Sequence, residues 1–149
     1  MIISNKCLYG LKAMLELALR DGQGPVTVGQ IAHAQGIPAR FLEAILRQLK
    51  QAGLTDSTRG KEGGYTLART PQSIPVGEII RLIEGPLLAV NSATTNENSP
   101  SALPVPDIFS ELWREAEAAL DTVLMATTLA DLVDREQRRV HSEAANYTI

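Results

Sequence analysis

Apolar positions recur at helical spacing through residues 4–20, where Leu8, Leu11, Leu15, Ala18 and Leu19 mark a first helix. Asp21-Gly22 and Gly24-Pro25 stop it. Thr27-Val28-Gly29-Gln30 then has the form of a capping box, with a hydroxyl for an orphan amide and a glutamine three residues on. It predicts a short helix with Val28, Ile31 and Ala32 inward, ending near Gln35-Gly36. A third helix is predicted over residues 38–52, with Phe41, Leu42, Ile45, Leu46 and Leu49 as its buried stripe. Extended segments over residues 54–57 and 64–67 flank a charged, glycine-rich tip at residues 59–63, the pattern of a hairpin. Residues 76–84 form a further amphipathic helix through Val76, Ile79, Ile80 and Ile83, closed by Gly85-Pro86.

The pattern then changes. Of the 18 residues from 89 to 106, 11 are Ser, Thr, Asn or Pro, which reads as a loop. Beyond it Val105, Phe109, Leu112, Ala116, Ala119 and Val123 alternate in steps of four and three along a long helix predicted over about 106–126. Pro106 suits its first turn and Asp107 and Glu111 its positive end. Ile108, Trp113, Leu120 and Leu124 widen the seam into a stripe too broad for one contact. A last short helix over 129–135 precedes a polar tail, 137–149, expected to be disordered. The fold class is therefore mainly α with a small β-hairpin wing. A winged helix-turn-helix domain occupies 1–86, a flexible loop 87–105, and a long seamed helix with a short C-terminal helix 106–136.

Composition sharpens this reading. The 149 residues carry a net charge of −3, yet residues 1–85 hold ten Lys/Arg against seven Asp/Glu, while residues 86–149 hold four against ten. A basic front half and an acidic back half suggest different duties. No apolar run approaches the ~20 residues of a membrane span, and Lys6, Lys12 and Glu16 interrupt the N-terminal apolar stretch, so no signal peptide is read and a cytoplasmic protein is expected. The one cysteine, Cys7, excludes an intramolecular disulfide framework and an all-cysteine metal site within one chain.

The chemistry concentrates between Thr27 and Leu67. In a helix-turn-helix one helix braces against the backbone while the next lies in the major groove. Gly36-Ile37-Pro38 supplies the turn, and the outward face of the third helix is then Ala39, Arg40, Glu43, Ala44, Arg47 and Gln48. Arg40 or Arg47 can donate two hydrogen bonds to a guanine, Glu43 can accept from a cytosine amine, and Ala39 and Ala44 admit a thymine methyl. The same pattern also fits an ordinary amphipathic helix with solvated charges. The hairpin tip adds Arg59 and Lys61 among Gly60, Gly63 and Gly64, a backbone able to approach a phosphate strand, with Arg59 suited to a narrow minor groove. Thr27 and Lys6, each at a helix start, complete the set of DNA contacts.

At these residues the chain resembles the Rrf2 family of bacterial winged-helix regulators. The resemblance rests on Ile3-Ser4-Asn5-Lys6, on Leu54 through Arg59-Gly60 into Gly63-Gly64-Tyr65-Thr66-Leu67-Ala68, on Val76-Gly77-Glu78-Ile79-Ile80, on Ile83-Glu84-Gly85-Pro86, and on Thr128-Leu129-Ala130-Asp131-Leu132. It implies a homodimer whose long helix crosses its twin, with Phe109, Leu112, Trp113, Ala116, Leu120 and Val123 at the interface. It also implies double-stranded DNA with a roughly palindromic site as the partner, and Arg59 as the minor-groove residue. Many members carry three cysteines before the long helix that bind an iron–sulfur cluster. Here residues 87–105 hold none, Asn91, Asn96, Glu97 and Asn98 are poor substitutes, and His33 and His141 lie elsewhere. No cofactor and no metal site are expected. Pro38 stands where the family often has a capping serine, and Lys61-Glu62 where it has Pro-Gly. The signal is left open between a small-molecule effector, a protein effector and nothing at all; a ligand, if one exists, would act at the loop 87–105, where the family holds its cofactor. The leading reading is a cluster-free repressor-type regulator. A second is a protein-interaction module that has lost DNA binding, supported by the acidic back half, Glu62 and the missing cysteines. No acid–base pair, nucleophile–histidine pair or phosphate loop supports an enzyme.

Overall fold

The computed structural model describes residues 2–88 and 108–148. The expected loop from residue 89 onward, and Val105, Pro106 and Asp107 at the start of the expected long helix, lie outside the described residues. The first helix, α1 (Asn5–Leu19), begins at Ser4, whose hydroxyl accepts the Cys7 amide at 3.1 Å. It is the centre of the N-terminal unit, packed against four other helices and a strand. Its buried face is Cys7, Gly10, Ala13, Met14, Leu17 and Ala18, whereas Leu8 is 44% exposed and Leu11, Leu15 and Leu19 are half-buried. The leucines that mark the helix in the sequence are thus its flanks. Small residues occupy the inner face because neighbouring helices come close there: a Cβ on Gly10 would sit 2.3 Å from Ile83 Cδ1. Glu16 is buried with two partners, Arg20 at 2.6 Å and Gln35 at 2.7 Å, and so joins α1 to the next helix.

That helix, α2 (Val28–Gln35), has the expected capping box, Gln30 and Thr27 each bonding the other's backbone amide. Gly36 ends it in the left-handed region at φ 63°, and α3 (Ala39–Gln51) follows. Leu42, Ile45, Leu46 and Leu49 of α3 are 0–2% exposed, each contributing about 1.5–3 kcal/mol by burial. The hairpin pairs β1 (Thr55–Thr58) with β2 (Gly64–Leu67), from Thr55 opposite Leu67 to Thr58 opposite Gly64. β1 starts one residue later than the sequence suggests because Leu54 is held in the core, its amide on the Leu49 carbonyl at 3.0 Å. Val26 adds a rung that the sequence did not announce, exchanging two backbone hydrogen bonds with Tyr65 at 2.9 and 2.8 Å.

A 3₁₀ turn, Pro71–Ser73, leads into α4 (Val76–Glu84), which matches its predicted span. Then α5 (Ile108–Ala126) packs along α4 and buries none of its residues. The last helix, α6 (Leu129–Asn146), is far longer than the 129–135 expected, so residues 137–146 are helical where a disordered tail was expected. A Thr128–Asp131 capping box starts it, and Arg139 bonds both Glu136 and Glu143 farther along. Its second half is exposed. Ion pairs at helical spacing rather than an apolar stripe mark that half, and apolar periodicity does not detect them. None of the described helices is long and apolar enough to cross a membrane.

Candidate nucleic-acid interface

The outer face of α3 is open. Ala39, Arg40, Glu43, Ala44 and Arg47 are all exposed, opposite the buried stripe. Pro38 provides no side-chain cap, as the sequence implies. Two positions on this helix differ from expectation. Phe41 is not core: it is 46% exposed, its ring stacked on Tyr9 of α1 with centroids 6.4 Å apart, and the Arg40 guanidinium lies 4.6 Å above it. Its place next to Leu42 turns it about a quarter revolution from the buried stripe, where α1 offers a ring rather than a hydrophobic interior. Gln48 in turn does not face outward freely. It is half-buried and its Nε2 donates to the Leu82 carbonyl of α4 at 3.1 Å.

Lys6, Arg40 and Ala44 are brought together with Asn5, Tyr9 and Phe41 around one cleft of about 370 Å³ between α1 and α3. Glu43, Arg47, Thr27 and the hairpin tip lie outside its lining. Sequence reasoning missed Asn5, Tyr9 and Phe41. The available signal was the scarcity of aromatic rings, two Phe and three Tyr in the whole chain, with one of each at these helix ends. The cleft combines two cations with an apolar floor, chemistry suited to phosphate and to a base methyl.

The wing tip presents Arg59, Gly60 and Lys61 to solvent, with Glu62 beside them. Its base is fixed to the reading helix: Thr55 Oγ1 donates to the Leu46 carbonyl at 3.4 Å, and Lys50 Nζ donates to Ser57. Helix and wing are therefore joined at the base of the hairpin. Gly60, at φ 111°, has open space where a side chain would go. Gly63 and Gly64 do not: a Cβ would meet the Thr58 carbonyl oxygen at 2.2 Å and the Val26 carbonyl oxygen at 2.5 Å. Those two glycines leave room for close approach within the chain itself. Thr27 is exposed, and its hydroxyl accepts the Gln30 amide while its hydrogen is left to donate.

Behind the cleft, the end of α4 meets α1. Glu84 Oε1 accepts the Ser4 amide at 2.7 Å and also the Ser4 hydroxyl. These bonds hold the Glu84 carboxyl below its ordinary range. Cys7 lies beneath, fully buried, and burial followed by the Glu84 charge pushes its thiol up to about 11. On its other side α4 is joined to α5 by an Arg81–Asp121 ion pair, beside a hollow of about 230 Å³ that Arg114 and Glu117 also line. No group of three His, Cys, Asp or Glu among the described residues is placed to hold a metal ion. His33 and His141 are exposed on separate helices.

Along α5 four of the six expected interface residues are exposed large apolar side chains. Phe109 is 57%, Leu112 50%, Trp113 42% and Val123 64% exposed, with Ile108 at 75%, while Ala116 and Leu120 are half-buried. The α4-facing side carries Arg114, Glu117, Ala118, Asp121 and Leu124. The helix therefore has two distinct faces.

A family model described as Rrf2, iron-dependent transcriptional regulator, matches residues 3–135. The HTH-type transcriptional regulator CymR of Bacillus subtilis is 39% identical over 132 residues, spanning 89% of each chain. The HTH-type transcriptional regulator IscR of Cereibacter sphaeroides is 31% identical over 140 residues, spanning 93% of this chain and 90% of its own. Among solved structures, CymR, the global cysteine regulator of B. subtilis, aligns with a TM-score of 0.76 at 37% identity, over 91% of this chain and 98% of that one. IscR of T. potens aligns with a TM-score of 0.76 at 34% identity, over 91% and 88%.

Proposed function

This chain belongs to the Rrf2 family and is a DNA-binding transcriptional regulator, not an enzyme; from that premise we propose that it acts as a homodimeric repressor on a roughly palindromic site, without an iron–sulfur cluster. The observation that carries the DNA reading is the exposed row Ala39, Arg40, Glu43, Ala44 and Arg47 on a helix whose other face is sealed in the core. Lys6 sits across the cleft from it, and Arg59 and Lys61 stand on a wing anchored to the same helix. In this reading Arg40 and Arg47 reach guanine edges, Lys6 and Thr27 hold phosphates, and Arg59 enters the minor groove.

The second copy is supported by α5, which packs on α4 through Leu124 and Met125 and an Asp121–Arg81 ion pair, and turns a separate apolar row containing Leu112, Trp113 and Val123 to water. An apolar row on an exposed helix favours a partner, and a self-complementary helix pair is the commonest closed solution. Two recognition helices related by a two-fold axis read a palindrome.

The family description invokes iron, but the donor set here does not fit a cluster. A cluster needs several thiolates. The chain has one cysteine, buried and held protonated on α1, and residues 87–105 contain neither cysteine nor histidine. What it senses is a small molecule, a protein or nothing at all; the hollow where α4 and α5 part is the place from which a ligand would act.

Selection of bound duplexes from a random pool at two salt concentrations, with the native chain and Arg59→Ala, tests the reading. The expected result is a palindromic motif whose affinity falls with salt, with Arg59→Ala lowering the salt slope by about 2, one for each wing of the dimer. A non-palindromic motif removes the dimer. No enriched motif, with weak binding indifferent to Arg59, replaces the operator-binding proposal with a protein-interaction module of the same fold.

A further inference from the structure

The last turn of α4 touches both helices that form the cleft. Its Leu82 carbonyl accepts Gln48 Nε2 of α3 at 3.1 Å. Two residues on, Glu84 accepts the Ser4 amide at 2.7 Å and the Ser4 hydroxyl, and Ser4 caps α1 by accepting the Cys7 amide. Between these two ties, Ile83 reaches α1 at Gly10. One turn of one helix therefore holds the start of α1, with Asn5 and Lys6, and the body of α3, with Arg40 and Ala44. Lys6 is close enough to Glu84 to help keep it ionised. A carboxylate so placed opposes phosphate binding on electrostatic grounds alone. A protein selected only for charge would lack it.

We propose that Glu84 is a positioning residue for operator binding: through Ser4, and together with the Gln48–Leu82 tie, it fixes the first turn of α1 against α3 so that Lys6 and Arg40 meet the duplex at one spacing. The inference rests on the DNA-binding reading of the cleft. It differs from a purely electrostatic role in the sign of its effect, and from a purely structural role in its selectivity. A specific site demands the right spacing of contacts, whereas non-specific binding demands only charge.

The full chain and its Glu84→Ala, Glu84→Gln, Ser4→Ala and Ser4→Ala/Glu84→Ala variants are compared by binding to the duplex selected by the native chain and to a scrambled duplex of equal length. All are measured well below each variant's thermal midpoint. Glu84→Ala is expected to lose about tenfold on the selected duplex, with the scrambled duplex held as well or better. Glu84→Gln, which keeps the Oε1 acceptor, should recover most of the loss. Ser4→Ala keeps the backbone amide bond to Glu84 and loses the hydroxyl bond and the Cys7 cap, so the double variant should lose less than the sum of the two single losses, because both remove the hydroxyl bond. Equal loss on both duplexes reduces Glu84 to a structural residue, and equal or tighter binding of the selected duplex reduces it to a charge. Failure of glutamine to rescue, or additive losses in the double variant, removes the Ser4 tie as the cause. Each of these overturns the inference while leaving the regulator reading intact. A native chain that selects no duplex overturns the proposed operator and this inference together.

Discussion

Replacing Gly64 with alanine tests whether the wing is pinned to the helix-turn-helix by the Val26 rung. The added methyl would stand 2.5 Å from the Val26 carbonyl oxygen, 2.6 Å from its carbon and 3.0 Å from the Thr27 nitrogen. All three are backbone atoms, so no side-chain rotation relieves the overlap. The strand must move away from Val26, which breaks the two hydrogen bonds between Val26 and Tyr65. Each bond contributes about 0.5–1.5 kcal/mol and the overpacking costs about 1–3 kcal/mol, so the variant should lose about 2–6 kcal/mol. At about 2–4 °C per kcal/mol for a chain of this size, the midpoint falls by roughly 4–24 °C. Thermal unfolding by circular dichroism at fixed protein concentration measures it, since a dimer's midpoint depends on concentration. Gly60→Ala is the control: it also has positive φ but open space, so only about 1 kcal/mol of backbone strain is expected. A Gly64→Ala midpoint within about 2 °C of the native chain, or one matching Gly60→Ala, would refute the close-approach argument.

Phe41→Ala removes the ring under Arg40 and the partner of Tyr9, and should weaken the selected duplex about two- to fivefold with little change in thermal midpoint. Phe41→Tyr should bind like the native chain, and native-like affinity in the alanine variant would show that Arg40 needs no platform. Cys7, buried with a thiol pushed up to about 11, should react with Ellman's reagent at neutral pH at least about a hundredfold more slowly in the folded chain than in denaturant. The rate should climb only as pH approaches 11, and prompt labelling of the folded chain at pH 7.5 would contradict this.

The elements with strong local signatures were legible. Thr27-x-x-Gln30 caps α2 as its hydroxyl and amide require, and Val76–Glu84 is a helix of the predicted span because its apolar spacing and Gly85 agree on where it ends. The candidate contacts on α3 were legible for a similar reason: once Leu42, Ile45, Leu46 and Leu49 point inward, geometry assigns the remaining positions. What failed depended on neighbours distant in sequence. Phe41 is drawn to Tyr9, 32 positions earlier, and Gln48 is drawn to Leu82, 34 later. Periodicity describes one helix at a time and does not report who stands opposite. Glycines misled in the same way. Gly60, Gly63 and Gly64 read alike as a tip able to approach phosphate, yet only Gly60 faces open space, and the other two leave room for Thr58 and Val26.

The seam on α5 shows how such ambiguity is resolved. An apolar stripe states that water is to be excluded, not which surface excludes it, and in the sequence Leu112, Trp113 and Val123 look no different from the stripe of α3. Within one described chain, the α3 stripe is sealed to 0–2% exposure, while Leu112, Trp113 and Val123 remain 42–64% exposed. The side of α5 that its own chain contacts is mixed, with Leu124 packed near Val76 and Ile80, Leu124 and Met125 closing on Gly77, and Asp121 paired to Arg81. A helix that satisfies one side on its own domain and still holds an apolar row outward is arranged for association. Since the stripe runs on through half-buried Ala116 and Leu120, its width suits a crossing helix of the same kind better than a single inserted side chain. In the proposed dimer the second copy therefore sits on the face of α5 away from α4, clear of the Arg81–Asp121 pair and of the hollow beside it.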